Sequence, residues 1–342
     1  MNLLANVMRG NIMESRHYGF IALADSSGRV LLSSGAPTDD FISFLRSSAK
    51  PLQAIPLIES GAADRYGLTD KELALACASH NGEPEHVETA LGILRKAGLE
   101  PEYLRCGSDY PLYEAARDAL LIQGIAPAPL FNNCSGKHAG MLLVCKHMGW
   151  ELETYTEPDH PLQREIMGVV TEFSGLDAAN IATGIDGCSV VCFGMSTARM
   201  ATAFARLADA AYWEKQNKPQ RAIAVRRIAA AMQAHSFMVG GTARSDTDLM
   251  NSAGSSKIFS KIGAEAVWCA GFPEHGIGLA FKIADGASRV HPAIMARILR
   301  QAHLLPEADI QKFEEVQLKP ITNKRGTVVG EYLPMFNLQE WA

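Results

Sequence analysis

Ser47 and Lys50 stand three residues apart in Ser47-Ser48-Ala49-Lys50, a spacing that on a helix puts a hydroxyl and an amine on one face of a turn. A lysine amine stripped of water, or set beside another cation, loses affinity for its proton. The neutral amine can then take the proton of Ser47 as that hydroxyl attacks a carbonyl carbon. The bland alternative is an exposed helix lysine with a capping serine, since Ser-x-x-Lys arises by chance about once in a chain of this size. Two further segments change the weighing. Ser79-His80-Asn81 falls in a Gly-containing loop between helix-forming stretches, and Lys261-Ile262-Gly263 lies among β-forming residues near the C-terminus. Brought to Ser47, Ser79 and Lys261 would make a second hydroxyl–amine pair able to pass a proton to a leaving group. Two lysines in one pocket also depress each other's proton affinity. Backbone N–H groups beside Ser47 or along the Lys261 strand would serve as an oxyanion hole.

A second cluster is Asn132-Asn133-Cys134-Ser135-Gly136-Lys137-His138, followed far along the chain by Asp186-Gly187-Cys188. Thiolates select soft metals, but a closed structural zinc site wants four Cys or His ligands, and two separated cysteines do not supply them. Three readings stay open from spacing alone: a metal site, a Cys134 nucleophile activated by His138, and buried thiols beside a basic turn.

The elements that must position these residues read as follows. Tyr18 to Ala24 and Arg29 to Leu32 flank the turn Asp25-Ser26-Ser27-Gly28, a hairpin. Apolar residues recur at helical spacing from Phe41 to about Ser60, then over Asp70–Ala78 and Pro84–Lys96, around the loop Ser79-His80-Asn81-Gly82-Glu83. Further helices are predicted at Tyr110–Gln123, Lys137–His147, Pro161–Phe173, Thr197–Glu214, Gln220–His235 and Pro292–His303, with short strands at Ile181–Thr183 and Ser189–Cys192. Lys257–Ile262, Ala266–Gly271 and Ile277–Ala284 read as consecutive antiparallel strands. The expected fold class is α+β: an antiparallel sheet from both chain ends, about 1–45 and 255–342, packed with a mostly helical part, about 46–254. With no repeat or long linker, the chain 1–342 is expected to be a single catalytic unit.

At 342 residues, with 47% hydrophobic and 20% charged residues, the chain has the composition of a folded globular protein. Its 32 Lys+Arg against 37 Asp+Glu leave no basic excess for a phosphate backbone, so nucleic acid is not an expected partner. No apolar run approaches the roughly 20 residues that span a bilayer. The first residues lack a basic start and an apolar core, so no export signal is read and the expected location is the cytoplasm. Seven cysteines without framework spacing read as thiols.

The order Ser-x-x-Lys, Ser-x-Asn on a loop, then Lys-x-Gly on a strand is that of the penicillin-recognising enzymes, although the interval from Ser47 to Ser79 is far shorter than theirs. More specifically, Arg46-Ser47-Ser48-Ala49-Lys50-Pro51-Leu52-Gln53, Ser79-His80-Asn81-Gly82-Glu83, Asn133-Cys134-Ser135-Gly136-Lys137-His138, Asp186-Gly187-Cys188 and Lys261-Ile262-Gly263-Ala264-Glu265 resemble the Rhizobium-type, or class 3, L-asparaginases. The likeness runs from Glu14-Ser15-Arg16-His17 to Asp285-Gly286. It implies a fold similar to the serine β-lactamases, penicillin-binding proteins and glutaminases, a homodimer, and hydrolysis of L-asparagine to L-aspartate and ammonia. It implies Ser47 with Lys50 as the nucleophile pair, Ser79 with Lys261 as the second Ser–Lys tandem, and a zinc ion held by Cys134, Lys137 and Cys188. That zinc would shape substrate binding rather than activate water. Arg46, Asn81, His138 and Asp186 become candidate substrate contacts, with an Arg46–Asp186 ion pair as the ordinary explanation of two of them. The resemblance leaves two other readings in view: another Ser–Lys hydrolase, β-lactamase-like or a glutaminase, and a non-catalytic amino-acid- or zinc-binding protein.

Two positions depart from the family's pattern. Ser189-Val190-Val191 stands where Gly-Val-Pro is usual, and Ala266 where Gly is common. Neither is a proposed site residue, so the departures bear on the pocket wall rather than on the reaction type.

Overall fold

Gly19 to Asp25 pairs residue by residue with Ile283 to Ile277, so the N-terminal hairpin and the C-terminal strands meet in one antiparallel sheet, as the sequence predicts. The computed structural model describes residues 1–35 and 41–340. Its strands in chain order are β1 (Asn2–Arg9), β2 (Ile12–Asp25), β3 (Val30–Ser33), β4 (Ile42–Phe44), β5 (Ala182–Ile185) and β6 (Val191–Ser196). They continue with β7 (Phe259–Gly263), β8 (Val267–Phe272), β9 (Ile277–Ile283), β10 (Ile321–Thr322), β11 (Val328–Pro334) and β12 (Gln339–Glu340). The large sheet runs β10-β11-β1-β2-β9-β8-β7, with β3 bonded to β2 and β12 to β3, and a small sheet runs β4-β6-β5.

Alternation along β2 gives the large sheet two buried faces. Ile21 and Leu23 join Leu4, Trp268, Phe281, Ile294 and Phe313 in one core, while Ala22 and Ala24 join the core of the helical middle. His291–Gln301 and Glu307–Gln317 cover the first face, so helix enters the region read as sheet. Thr197–Ala208 covers the second and approaches β9 so closely that a Cβ on Gly278 would meet the Ala201 carbonyl oxygen at 2.0 Å. Small side chains on β2 and β9 at this face let the helix sit down on the sheet.

The helix predicted from Phe41 to Ser60 is not continuous. Its start becomes β4, paired with β6 from Ile42 to Phe44. The rest breaks into a 3-10 turn, Arg46–Ala49, and two short helices, Lys50–Gln53 and Ile55–Glu59. Pro51 and Pro56 lack the N–H that a continuing helix needs, and each opens a new one instead. Likewise the predicted helix Thr197–Glu214 is broken at Asp209, whose carboxylate caps the next segment by accepting from Tyr212 N–H at 3.0 Å. The strands β1 and β11 and the helices Ser245–Ser252 and Glu307–Gln317 were not expected from the pattern. Among the described residues no helix is long and apolar enough to cross a membrane.

Candidate active site

Ser47 lies in the 3-10 turn that follows β4, and the turn is tied down on both sides. Leu45 N–H donates to Phe193 O at 2.9 Å, and Ser48 Oγ donates to Lys261 O at 2.8 Å. It is therefore Ser48 that stitches the turn to β7. The approach is too tight for a side chain: a Cβ on Gly263 would stand 2.4 Å from Leu45 O and 3.1 Å from Ser48 Oγ. Arg46, immediately before Ser47, is held at φ 49°, in the left-handed region that L-residues rarely adopt. Its guanidinium bonds Asp186 at 2.7 Å, which anchors the strained residue. Ser47 Oγ has no hydrogen-bond partner among the described residues and is half-buried.

Lys50 is 1% exposed, and its amine donates to Ser79 Oγ at 2.7 Å and to Asn133 O at 3.4 Å. Its hydroxyl partner is thus Ser79 rather than Ser47. Lys50 closes the 3-10 turn, its N–H bonded to Ser47 O, opens the next helix and is buried. Lys261, wholly buried, donates to Ile262 O at 2.8 Å and lies 3.5 Å from Asp246 Oδ2. Burial, then the positive charges of Lys50 and Arg244, push the Lys261 amine down to about 8, with Asp246 opposing them. The two lysines therefore share one electrostatic environment although their hydrogen bonds run to different partners.

Ser79 sits on a loop whose imidazoles are structural. His80 Nδ1 accepts from Gly82 N–H at 3.1 Å, which leaves the ring proton on Nε2, 3.0 Å from Ser135 Oγ. His80 stacks on His86 at 5.1 Å and His86 on Phe237 at 4.8 Å. Burial, reinforced by His86, Lys50 and Arg244, holds His80 well below the usual histidine range, so it is neutral. Asn81 serves the same loop: its amide donates to Thr242 O at 2.9 Å and Glu83 Oε1 at 3.2 Å.

Cys134, Lys137 and Cys188 come together, Lys137 Nζ lying 2.9 Å from Cys188 Sγ. Cys134 Sγ donates to Asn133 Oδ1 at 2.9 Å, and the interaction of the two thiols lowers Cys134 and raises Cys188 from the usual cysteine range. Burial opposes a charged Lys137, but the two sulfurs outweigh it. His138 stands behind this cluster. Tyr155 Oη accepts from Arg105 N–H at 2.9 Å and lies 2.6 Å from His138 Nδ1. His138 Nε2 is buried and has no hydrogen-bond partner among the described residues. Two soft sulfurs and one amine could hold a zinc with one open position only once Lys137 gives up its proton. No group of three or more Cys, His, Asp or Glu able to hold a metal occurs among the described residues. Asp186 joins this cluster to Arg46. Burial would raise its carboxyl, yet Lys137 and Arg46 outweigh that and hold it below the usual range.

Four residues of the site carried no expectation. Asp246 Oδ2 accepts from Ile262 N–H at 2.9 Å, and its Oδ1 accepts from Ser260 Oγ at 2.6 Å, which fixes the strand that carries Lys261. Glu83 accepts from Thr242 N–H at 2.8 Å and Thr242 Oγ1 at 2.7 Å. Arg244 reaches Asn81 Oδ1 at 3.4 Å, and Tyr155 orients His138. Each acts across a long sequence interval, and the one available signal was Glu83 within the Ser79 segment.

The family model for L-asparaginase II matches residues 5–334. No curated protein shows a significant match. Among solved structures, Mglu in its native form aligns at 15% identity with a TM-score of 0.38, covering 84% of this chain and 65% of that one. This chain thus spans just under two thirds of that protein. Mglu in its tris and glutamate form aligns at 15% identity and TM-score 0.36, covering 84% and 59%. A beta-lactamase from Mycobacterium bovis aligns at 14% and 0.36, covering 84% and 95%.

Proposed function

The chain belongs to the L-asparaginase II family, and from that premise we propose that it is an amidohydrolase that converts L-asparagine to L-aspartate and ammonia through an acyl-serine. The observation that carries the mechanism is the buried contact of Lys50 Nζ with Ser79 Oγ at 2.7 Å. Ser47 Oγ attacks the side-chain amide carbon. Its proton passes through Ser79 to Lys50, and the amide nitrogen takes a proton back as the C–N bond breaks and ammonia leaves. Water then attacks the ester, the carbon–Oγ bond breaks, and Ser47 recovers its proton. Lys261, with its depressed proton affinity, keeps the pocket able to hold and release that proton. Backbone N–H groups beside Ser47 or along β7 would serve as the oxyanion hole. The same short bond favours a second assignment, in which Ser79 is acylated with Lys50 as its base.

Arg46, Asn81, His138 and Asp186 shape the substrate pocket in this reading, with Asp186 placed for the α-ammonium. Cys134, Lys137 and Cys188 would hold zinc, which supplies a Lewis acid near the substrate. The reading includes a homodimer in the cytoplasm. The test is ammonia release from L-asparagine, with L-glutamine alongside, by wild type and Ser47→Ala. Release that disappears in the variant supports reaction and nucleophile together. Release that survives Ser47→Ala and is lost in Ser79→Ala selects the second assignment. A wild type that releases none, but is labelled by a fluorescent penicillin, is a different Ser–Lys hydrolase.

A further inference from the structure

Arg244 stands where the chain enters the helix Ser245–Ser252, and its backbone is fastened to the Ser79 loop. Ser79 N–H donates to Val239 O at 3.1 Å and Asn81 N–H to Gly240 O at 2.9 Å. Asn81 and Glu83 clamp Thr242 through the bonds already described. The segment from Val239 to Arg244 is therefore part of the wall beside Ser79.

Its guanidinium is unusually placed. It is half-buried, its single hydrogen bond among the described residues goes to the neutral Asn81 amide oxygen at 3.4 Å, and no described carboxylate lies within ion-pair distance. The acids of this region are committed elsewhere: Glu83 to Thr242 and Asn81, Asp246 to Ser260, Ile262 and Lys261, and Asp248 to Gln317. Arg46, by contrast, is already bound to Asp186. Arg244 reaches the Ser79 loop through Asn81, and its charge is near enough to lower the proton affinity of both Lys261 and His80. A partly desolvated cation near Lys261 and without an anion is costly unless an anion is delivered. A planar guanidinium is the group best matched to a carboxylate.

We infer that Arg244 binds the α-carboxylate of the amino-acid substrate and so sets the side-chain amide against the serines. This rests on the amidohydrolase reading and goes beyond it by naming the group that selects an α-amino acid over a simple amide. The test compares kcat/KM for L-asparagine with that for 3-aminopropanamide, which lacks the α-carboxylate, in wild type, Arg244→Ala and Arg244→Lys. Loss of a charge-assisted pair should cut the preference for asparagine by roughly 10- to 100-fold in Arg244→Ala. Arg244→Lys should lie between, and added guanidinium should restore part of the loss. Titration calorimetry should show L-aspartate binding to wild type weakened by a similar factor in the alanine variant. An unchanged preference with unchanged aspartate binding overturns the inference and leaves the amidohydrolase intact. An equal loss for both substrates, without guanidinium rescue, overturns it in favour of a structural role. A wild type that releases no ammonia from asparagine overturns both.

Discussion

Lys50 Nζ lies 2.7 Å from Ser79 Oγ and makes no hydrogen bond to Ser47, the serine three residues before it. The 3-10 turn at Arg46–Ala49 ends where Lys50 starts a new helix, and the amine reaches across to a loop 29 residues away. Lys50→Met keeps the aliphatic bulk and removes the amine. We expect kcat for asparagine to fall about 10²- to 10⁴-fold, the range of a lost general base, with folding checked by circular dichroism. Retention of most of the turnover would remove Lys50 from the chemistry.

The rate should titrate with Lys261. Its amine is pushed down to about 8, so kcat/KM should rise as pH climbs through that region and the neutral amine forms. Asp246 favours the charged form, so Asp246→Asn should move this limb toward acid. An alkaline shift, or none, would separate the limb from Lys261. Stability runs in a linked direction. An unfolded lysine keeps its proton to about 10.5 while the folded one releases it near 8, so between these values the unfolded state binds more protons and raising pH favours folding.

Zinc should depend on Cys134, Lys137 and Cys188. Protein purified in zinc and desalted should lose most of its metal, measured by inductively coupled plasma mass spectrometry, in Cys188→Ala and in Lys137→Met. Tyr155→Phe removes the hydroxyl that fixes the His138 ring, and zinc affinity should fall about 10- to 100-fold. Full metal content in Cys188→Ala would dissolve the ligand set while leaving the serine chemistry in place.

Both departures from the family pattern sit in strained backbone. Ser189 has φ 73° and Ala266 φ 58°, where glycine adopts the conformation freely. Ser189 is exposed and loses nothing by shedding its side chain. Ser189→Gly should stabilise the protein by about 0.5–1 kcal/mol, the left-handed penalty less the added freedom of the unfolded chain, seen as a higher Tm. Ala266→Gly should gain less because its methyl is buried. A lower Tm for Ser189→Gly would contradict the assigned strain.

The N-terminal hairpin and the three strands from Phe259 to Ile283 were legible because alternation and turn residues are local signals. So was the loop carrying Ser79, where Asn81-Gly82 interrupts good helix sequence. The strands β1 and β11 were not, because each forms in the sheet against partners that include one at the far end of the chain, from Ala5–Pro334 to Arg9–Gly330. Asp246 was hidden for a related reason. Ser245-Asp246-Thr247-Asp248 lies in a segment for which no element was predicted, and nothing nearby tells of the bond of Asp246 to Ile262 on another element.

By itself the sequence determined the chemical types present: two lysines, two serines, a pair of thiols with an amine, and the glycine that lets β7 meet the Ser47 turn. Only the tertiary structure decided which amine met which hydroxyl, which arginine kept a carboxylate and which was left without one. Hydrogen bonds act over about 3 Å, and these partners are separated by tens to hundreds of residues, so their pairing belongs to the packing of elements and not to any stretch of chain.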